Sequence, residues 1–598
     1  MNDKLFTLSD WKGAYEKRNA NPRDVLQSLL DSIDRTDPAW ISVCSDDFLK
    51  IQLDKLESLD PSKCPLYGVP FAVKDNIDAI GFNTTAACPE FSFTPQKNAT
   101  LVSRLQSAGA ILIGKTNLDQ FATGLVGVRS PYGHVPNTFN AEYISGGSSS
   151  GSASVVARGI VPFAIGTDTA GSGRIPAGFN NIVGLKPTPG SIPMNGVLPA
   201  CRTIDVFSIF ALTVADAAGI LSLLQGADDE PTFNTFQYMQ GWFGVGDRKI
   251  KVGIPKNAHC DERVGYQTSF DQSIEKLNQL NLELIEVGMG QLNEVAQLLY
   301  DGPWVAERYA VIQGLLSTKP NVIDPTVKKV IEKASDFDSK DTFNAMYRLA
   351  QLRVAANAIW KDIDVLMVPT APTIPTLNEL VLEPIKKNSE LGEYTNFVNL
   401  LGWSAISVPA DITCKGLPFG VTFIAPAGFE YALINLGNEW QAHAHLPLGA
   451  NLKDYAKDDG LLSSLPLKED DIEIAVVGAH LKGFPLHWQM EQRQCRFVGS
   501  TQTSNSYKLV ALNSTLPPKP GLIRVNEGGS AIWVEIYRMP AREVGSFFAL
   551  IQHPLGLGSI ELGDGQWVKG FICEASASDG SKDISHFGGW KKYMESVS

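Results

Sequence analysis

No run in this chain comes near the roughly 20 consecutive apolar residues that a membrane-spanning helix requires. The opening MNDKLFTLSDWKG also lacks the basic stretch and apolar core that mark a secretory signal. Close cysteine pairs are missing: Cys44, Cys64, Cys88, Cys201, Cys260, Cys414, Cys495 and Cys573 lie scattered. That spacing fits neither a disulfide framework nor a zinc site, and reduced thiols in a cytoplasmic protein are the expectation. Excess positive charge is absent as well. A formal net charge of −13 argues against a nucleic-acid groove, while leaving room for a small anionic substrate held by local cations. Histidine is scarce early on. Only His134 precedes residue 259, so a Ser-His-Asp triad in that half would rest on it alone. Internal repeats and low-complexity tracts are not found. What is present is ordinary globular composition, 44% hydrophobic and 19% charged, over 598 residues, too long for one core and suggesting two or more domains.

The periodicities predict an α/β domain first. Val25, Leu26, Leu29, Leu30 and Ile33 recur at helical spacing behind Asn21-Pro22, a capping entry. GVPFAVKDNID (68–78) reads as a buried strand with a lysine at its end. Residues 99–108 read as a helix closed by Gly109, and Ile111 to Ile113 as a parallel strand leading into GKTNLDQFATG. Ala153 to Ala157 reads as a helix and Ile160 to Ile165 as a strand. KIKVGIP (249–255), DVLMVPTAP (364–372) and SAISVPADI (404–412) are further strands, with helices across 290–360 and from Tyr431 to Ala444. This alternation predicts a mixed β-sheet covered by helices on both faces. From Leu446 to Asp471 the chain turns polar and loses its periodicity, as a linker would. The glycine-punctuated, β-rich stretch from Ile472 predicts a separate small α+β domain. The expected boundaries are 1–455, a linker over 456–470, and 471–598.

The chemistry concentrates in SGGSSSGSASVVARG (145–159) and GTDTAGSGRIPA (166–177). A flexible linker is the bland reading of such a run, but this one leads straight into an apolar helix and strand. No Lys-Ser/Thr pair ends it as in a P-loop, and it lacks the G-x-G-x-x-G spacing. With histidine nearly absent, lysine is the other base for a serine. Lys74 follows the apolar Phe71-Ala72-Val73, where burial disfavours the ammonium and makes a neutral amine accessible near pH 7. The competing reading is a salt bridge from Lys74 to Asp75 or another carboxylate.

Together, GVPFAVKDNID, SGGSSSGSASVVA and GTDTAGSGRIPA resemble the amidase signature family over roughly residues 60 to 430, PTAPTIP and SAISVPA included. The resemblance implies an amide hydrolase with Lys74 as ultimate base, Ser148 behind a cis peptide bond as relay, and Ser172 as nucleophile. Ala170 stands where the family has the first glycine of a pair, and Gly171 is kept. Backbone N–H groups of Thr169, Ala170, Gly171 and Ser172 are the expected oxyanion hole. Asp168 and Arg174 are expected to form a structural ion pair. No metal or cofactor is implied.

DQFATGLVGVRSPYG (119–133) and LLYDGPWVAERYA (298–310) resemble the allophanate hydrolase branch. Allophanate is urea bearing a carboxylate, so the resemblance implies a cation, with Arg308 as the clamp, Tyr300 beside it on one continuous helix, and backbone at Gly124 against the ligand. The competing reading is helix packing with a surface arginine. IAVVGAHLKGFPLHWQM and GSAIWVEIYRMP resemble the small γ-glutamylcyclotransferase-like domain of those enzymes. His480, His487 and Glu574 are its polar candidates, each equally readable as structural. The implied outcome is ammonia and carbon dioxide from allophanate in urea breakdown, the small domain assisting decarboxylation of N-carboxycarbamate. The resemblance further implies a homodimer, no membrane partner, and fusion to or cooperation with a biotin-dependent urea carboxylase, so that the end at KKYMESVS reads as a cut in a longer polypeptide. The alternatives are another amidase with a different amide substrate, including an aryl-acylamidase, a fatty-acid amide hydrolase or a glutamine amidotransferase component, or a non-catalytic scaffold.

Overall fold

A computed structural model of the chain describes residues 5–18, 20–228, 243, 249–280, 282–450, 452–456, 471–493, 495–513 and 515–597. They fall into two compact units, one drawn from 1–241 and 249–461, the other from 462–598 with the short stretch 242–248. The larger unit is organised by one sheet whose strands are β1 (Trp40–Val43), β2 (Pro70–Lys74), β3 (Ile111–Thr116), β4 (Phe163–Asp168), β5 (Val183–Lys186), β6 (Val206–Ala211), β7 (Lys251–Pro255), β8 (Glu283–Val287), β9 (Val365–Pro369), β10 (Ser404–Ile412) and β11 (Pro418–Ala425). Their order across the sheet is β1-β3-β2-β4-β6-β5-β10-β11-β9-β7-β8. The sheet is mixed, as the sequence predicts: β2 runs parallel to both β3 and β4, whereas β4 pairs antiparallel with β6. Helices pack over it, among them Ser150–Ala157 on β4 and Glu430–Ala444 on β10.

Local signals account for many of these elements. Asn21 caps the helix Pro22–Ser32 by accepting the Arg23 N–H, and Leu26 and Leu30 face inward. The helix Thr100–Ser107 buries Leu101, Val102 and Leu105 and ends before Gly109, whose φ of +91° turns the chain into β3. All five residues of β2 are buried, the lysine included. One strand starts later than its hydrophobicity suggests: β4 begins at Phe163, because Pro162 has no N–H to give a central ladder.

The expected linker 456–470 lies outside the described residues apart from Ala456. The polar stretch that precedes it is not loose. The Asn181 amide donates to the carbonyls of Pro447 and Gly449, both at 2.8 Å, the Ala450 N–H donates to the Ala157 carbonyl, and Lys453 meets Asp10 at 2.5 Å. Backbone satisfaction by neighbouring loops holds this stretch where no periodicity announces it.

The smaller unit contains β12 (Asp471–Val476), β13 (Arg496–Gln502), β14 (Tyr507–Ala511), β15 (Pro520–Arg524), β16 (Trp533–Pro540), β17 (Leu555–Glu561), β18 (Trp567–Cys573) and β19 (Lys582–Asp583). Five form the sheet β13-β16-β12-β18-β17 and three the sheet β15-β14-β19. Short helices at Trp488–Gln492, Ala541–Phe548 and Trp590–Val597 complete an α+β unit around Ile474, Val476, Tyr507, Met539 and Phe547.

Phe163 stacks on Phe71 of the neighbouring strand, with ring centroids 5.6 Å apart and planes 2° from parallel, and both are fully buried. Phe163→Ala is therefore expected to cost about 3–5 kcal/mol of the larger unit's unfolding free energy. A urea titration showing less than about 1 kcal/mol of loss would mean that the β2–β4 seam repacks without this ring.

Candidate active site

Because β3, β2 and β4 are parallel neighbours, their carboxyl ends meet at one edge, where ligands gather in open α/β sheets. Lys74 ends β2 there, and Thr167 and Asp168 end β4. The Lys74 amine has zero exposure and lies 2.7 Å from Ser148 Oγ and 2.8 Å from Thr167 Oγ1. Burial drives its pKa down to about 7, against the pull of Asp119, Asp205 and Asp168 and with a smaller push from Arg308. Asp75 is not its partner: that carboxylate meets Lys115 at 3.4 Å and takes the hydroxyl and N–H of Thr85. The salt-bridge reading of Lys74 is thereby set aside.

Ser148 follows Gly147 through a cis peptide bond, as the resemblance implies, just before the helix Ser150–Ala157. Ser172 sits in the loop after β4, only 2% exposed. Its hydroxyl makes no hydrogen bond among the described residues, so the structure joins Lys74 to Ser148 but leaves the last link of the expected relay unmade. Catalytic hydrogen bonds commonly tighten only with substrate in place.

Asp168 organises the loop that carries Ser172. Its two oxygens accept the N–H groups of Gly171 and Gly173 and both arms of Arg174, all at 2.9 Å, with neither side chain exposed. Arg174 holds the Asp168 carboxyl below its usual range despite complete burial, and Arg174 is tied in turn to the Thr395 carbonyl and Asn399. The expected ion pair is present. The same geometry corrects the oxyanion expectation. The Gly171 N–H is spent on Asp168, whereas those of Thr169, Ala170 and Ser172 are unengaged among the described residues. Gly171 serves the loop through its φ of +134°, and a Cβ there would lie 2.5 Å from Thr395 Oγ1.

Tyr300 and Arg308 do not share a helix. Gly302-Pro303 divides the segment into Gly290–Asp301 and Val305–Thr318, because proline pushes the preceding residue to extended backbone, here φ −120° and ψ −179° at Gly302. The two side chains still meet, with the guanidinium carbon 5.6 Å from the Tyr300 ring centroid. Nor is Arg308 a surface arginine: it is 2% exposed. One arm donates to the Thr123 hydroxyl at 3.0 Å and the Ala122 carbonyl at 3.2 Å, which brings it beside Gly124. Its Nε and second amino group have no partner among the described residues. The nearby Cys201 thiol, pushed up to about 12 by burial, stays neutral and offers no countercharge. Asp205, raised to about 6 mainly by burial, accepts the Thr169 hydroxyl at 2.5 Å and the N–H groups of Ala200 and Cys201. Thr167, Asp119 and Asp205 are the residues that sequence reading did not find. Each stands in an ordinary strand or loop, and only sheet register and loop return bring it to Lys74.

In the smaller unit His480 stacks on Phe571 at 4.8 Å, hydrogen-bonds Gln489 at 2.8 Å and is driven by burial down to about 4. His487 Nδ1 meets the His480 carbonyl, so these two lie together. Glu574 stands apart, 3.4 Å from His553. A cavity of about 250 Å³ is lined by His480, Gln489, Lys519, Gln552 and Phe571, and Glu574 is not on its wall. Among the described residues no His, Cys, Asp and Glu cluster suited to a metal ion occurs, and no helix is long and apolar enough to cross a membrane.

Two family profiles match the chain: Amidase over residues 24–434, and Allophanate hydrolase C-terminal domain over 472–595. The chain is 42% identical to a urea amidolyase of Saccharomyces cerevisiae over 606 positions, covering 99% of this chain and 33% of that protein. It thus spans about a third of the length of the curated relatives it matches first. An allophanate hydrolase structure from Kluyveromyces lactis is 41% identical and superimposes with a TM-score of 0.89 over 100% of each chain. A glutamyl-tRNA(Gln) amidotransferase component from Lawsonia intracellularis is 32% identical over 459 positions, 70% of this chain and 93% of that one.

Removing one member of a buried ion pair strands the other. Arg174→Ala is expected to cost about 3–5 kcal/mol of stability and to abolish turnover by releasing the nucleophile loop. A denaturation midpoint within error of the unsubstituted protein would show that Asp168 finds another partner.

Proposed function

The chain belongs to the amidase family and carries an allophanate hydrolase C-terminal domain, and from that premise we propose that it hydrolyses allophanate, releasing ammonia and carbon dioxide in urea degradation. The observation that carries the substrate assignment is the buried Arg308 guanidinium, with unpartnered donors beside the Lys74–Ser148 site. A buried cation with free N–H groups is costly unless an anion arrives, and a planar carboxylate matches its fork. With Ser172 and Arg308 each 2% exposed, the site suits a ligand of few atoms rather than a bulky amide. Tyr300 and the Gly124 backbone complete the clamp.

In this reading Ser172 Oγ attacks the terminal carbonyl of allophanate while its proton passes through the Ser148 hydroxyl to neutral Lys74. N–H groups of Thr169, Ala170 and Ser172 take up the developing oxyanion. The proton returns through the same relay to the departing nitrogen, which leaves as ammonia. Water then cleaves the acyl-serine to N-carboxycarbamate and frees Ser172. Loss of carbon dioxide from that product, leaving carbamate that breaks down to a second ammonia and a second carbon dioxide, is assigned to assistance by the smaller unit, with His480 and its cavity as the candidate place and His487 supporting its backbone. Glu574, outside the cavity, is given no part in that step. We further propose that the working enzyme is a cytoplasmic homodimer, cooperating with or joined to a biotin-dependent urea carboxylase.

Lys74→Ala, Ser148→Ala and Ser172→Ala are each expected to lower kcat by roughly 10⁴-fold or more without shifting the melting temperature downward. A wild-type rate in any one removes that residue's role. For the unsubstituted enzyme, kcat/KM should fall tenfold per pH unit below about 7, because the amine must be uncharged to act. A flat acid limb down to pH 5 would contradict a lysine base. Arg308→Ala should lower kcat/KM for allophanate by about 10–100-fold, chiefly through KM. Ammonia release from malonamide and simple aliphatic amides, measured alongside, separates the substrate claim from the mechanism: activity on those with none on allophanate refutes the substrate alone. His480→Ala should leave release of the first ammonia unchanged and slow release of carbon dioxide and of the second ammonia, and a matching loss of the first ammonia would move His480 out of the second step.

A further inference from the structure

Asp119 has zero exposure and forms no ion pair with a side-chain cation among the described residues. Backbone fills it instead. Val126 and Gly127 N–H groups donate to Oδ2 at 3.1 and 3.0 Å, and those of Gly127, Val128 and Arg129 donate to Oδ1 at 3.0, 3.1 and 3.0 Å. The same carboxylate abuts both halves of the site. A Cβ on Gly147 would lie 2.2 Å from Oδ2, and one on Gly124, where φ is +155°, would lie 2.6 Å from it. The Asp119 N–H donates to the Ser148 carbonyl at 3.2 Å. One side thus leads to the relay serine, the other to the loop whose Thr123 hydroxyl accepts from Arg308.

Anchoring a loop would by itself explain the N–H bonds. It does not explain placing a carboxylate next to the serine that touches the amine. The charged groups that act most strongly on Lys74 are Asp119 from the turn after β3, Asp205 from the loop before β6, Asp168 from the end of β4 and Arg308 from the helix Val305–Thr318. Among the three carboxylates Asp119 acts most strongly; Asp168 is compensated by Arg174, whereas the Arg129 guanidinium, which borders Gly124 as Asp119 does, gives its donors to the Thr123 and Pro384 carbonyls. A buried amine surrounded only by apolar groups and a guanidinium would be too poor a base to draw a proton from a serine.

We propose that Asp119 is a positioning residue for the reaction: it seats the relay serine through Gly147 and Ser148, and its charge sets how firmly the Lys74 amine holds the proton it receives. This inference rests on the reading of Lys74 as the base. No new bond is formed by Asp119, and it does not touch substrate.

The test uses the full chain and the rate of Ser172 sulfonylation by phenylmethanesulfonyl fluoride, followed by intact mass against pH, a readout that needs no allophanate. In the unsubstituted protein the rate should rise through about pH 7, and the label should vanish in Ser172→Ala. A pH-independent rate, or a label elsewhere, defeats the lysine-base reading and the inference with it. In Asp119→Asn the acid limb should move down by about one pH unit, because loss of an anion destabilises the ammonium, and the plateau should drop. Asp119→Glu keeps the charge and should keep the limb in place at a reduced plateau. A lower plateau in both variants with the limb unmoved makes Asp119 a loop anchor only and overturns the proposal. Should Asp119→Asn lose its cooperative melt, Asp119→Ala is titrated with formate, whose carboxylate fits the vacated cradle of N–H groups. Return of labelling with the original limb supports the proposal, and no return overturns it.

Discussion

The structure depends on keeping one amine, that of Lys74, out of water and still able to take a proton. Removing a lysine from solvent favours its neutral form, and zero exposure supplies that push. Taken alone the push would go too far, leaving an amine unable to compete for a serine proton. Three surrounding carboxylates moderate it, while two hydroxyls within 2.8 Å fix where the amine sits. The amine is held near neutrality by opposing effects of burial and charge, and the elements around it can be understood by which side of that balance they supply.

The three carboxylates are themselves buried, and the chain keeps each by a different device. Asp168 is matched by a guanidinium in a two-pronged contact, the geometry in which a buried pair is least costly. Asp205 accepts a hydroxyl and two N–H groups and is pushed up toward neutrality. Asp119 is lined by backbone donors from a single turn. These arrangements also set the shape of the Ser172 loop, of the turn at Ser148 and of the loop from Asp119 to Arg129. Electrostatic tuning and loop geometry are therefore produced by the same atoms, which is why a substitution at any of the three is expected to disturb both. Arg308 differs from all of them in having buried donors left over, and an unpaired buried guanidinium is costly until an anion meets it.

Particular elements show what was and was not legible beforehand. The β2 and β4 strands, the glycine-rich approach to Ser148 and the Asp168–Arg174 pair follow from local pattern and from resemblance. The joint placement of Tyr300 and Arg308 was expected for the wrong reason: eight residues along one helix would align them, but Gly302-Pro303 breaks that helix, and folding of the second helix onto the first brings the ring and guanidinium together. The Gly171 N–H was expected to face substrate and instead turns to Asp168, since an adjacent carboxylate competes for any free donor. Polar residues 447–453 suggested a loose connection, yet their carbonyls meet Asn181 and their lysine meets Asp10. In each case a partner distant in sequence decided the outcome.

The sequence by itself determined the alternation of strands and helices, the burial of a lysine at a strand end, the serines flanked by glycine, and the division into a larger and a smaller part, because periodicity and local backbone preference act over a few residues. Only the tertiary structure decided that Lys74 meets Thr167 rather than Asp75, that Asp119 and Asp205 stand around it, and that Arg308 is left with donors unspent. The physical reason is range. Hydrophobic pattern records whether a side chain leaves water, whereas the strength of a base depends on which charges come within a few ångströms of it, and that is set by sheet order and loop return.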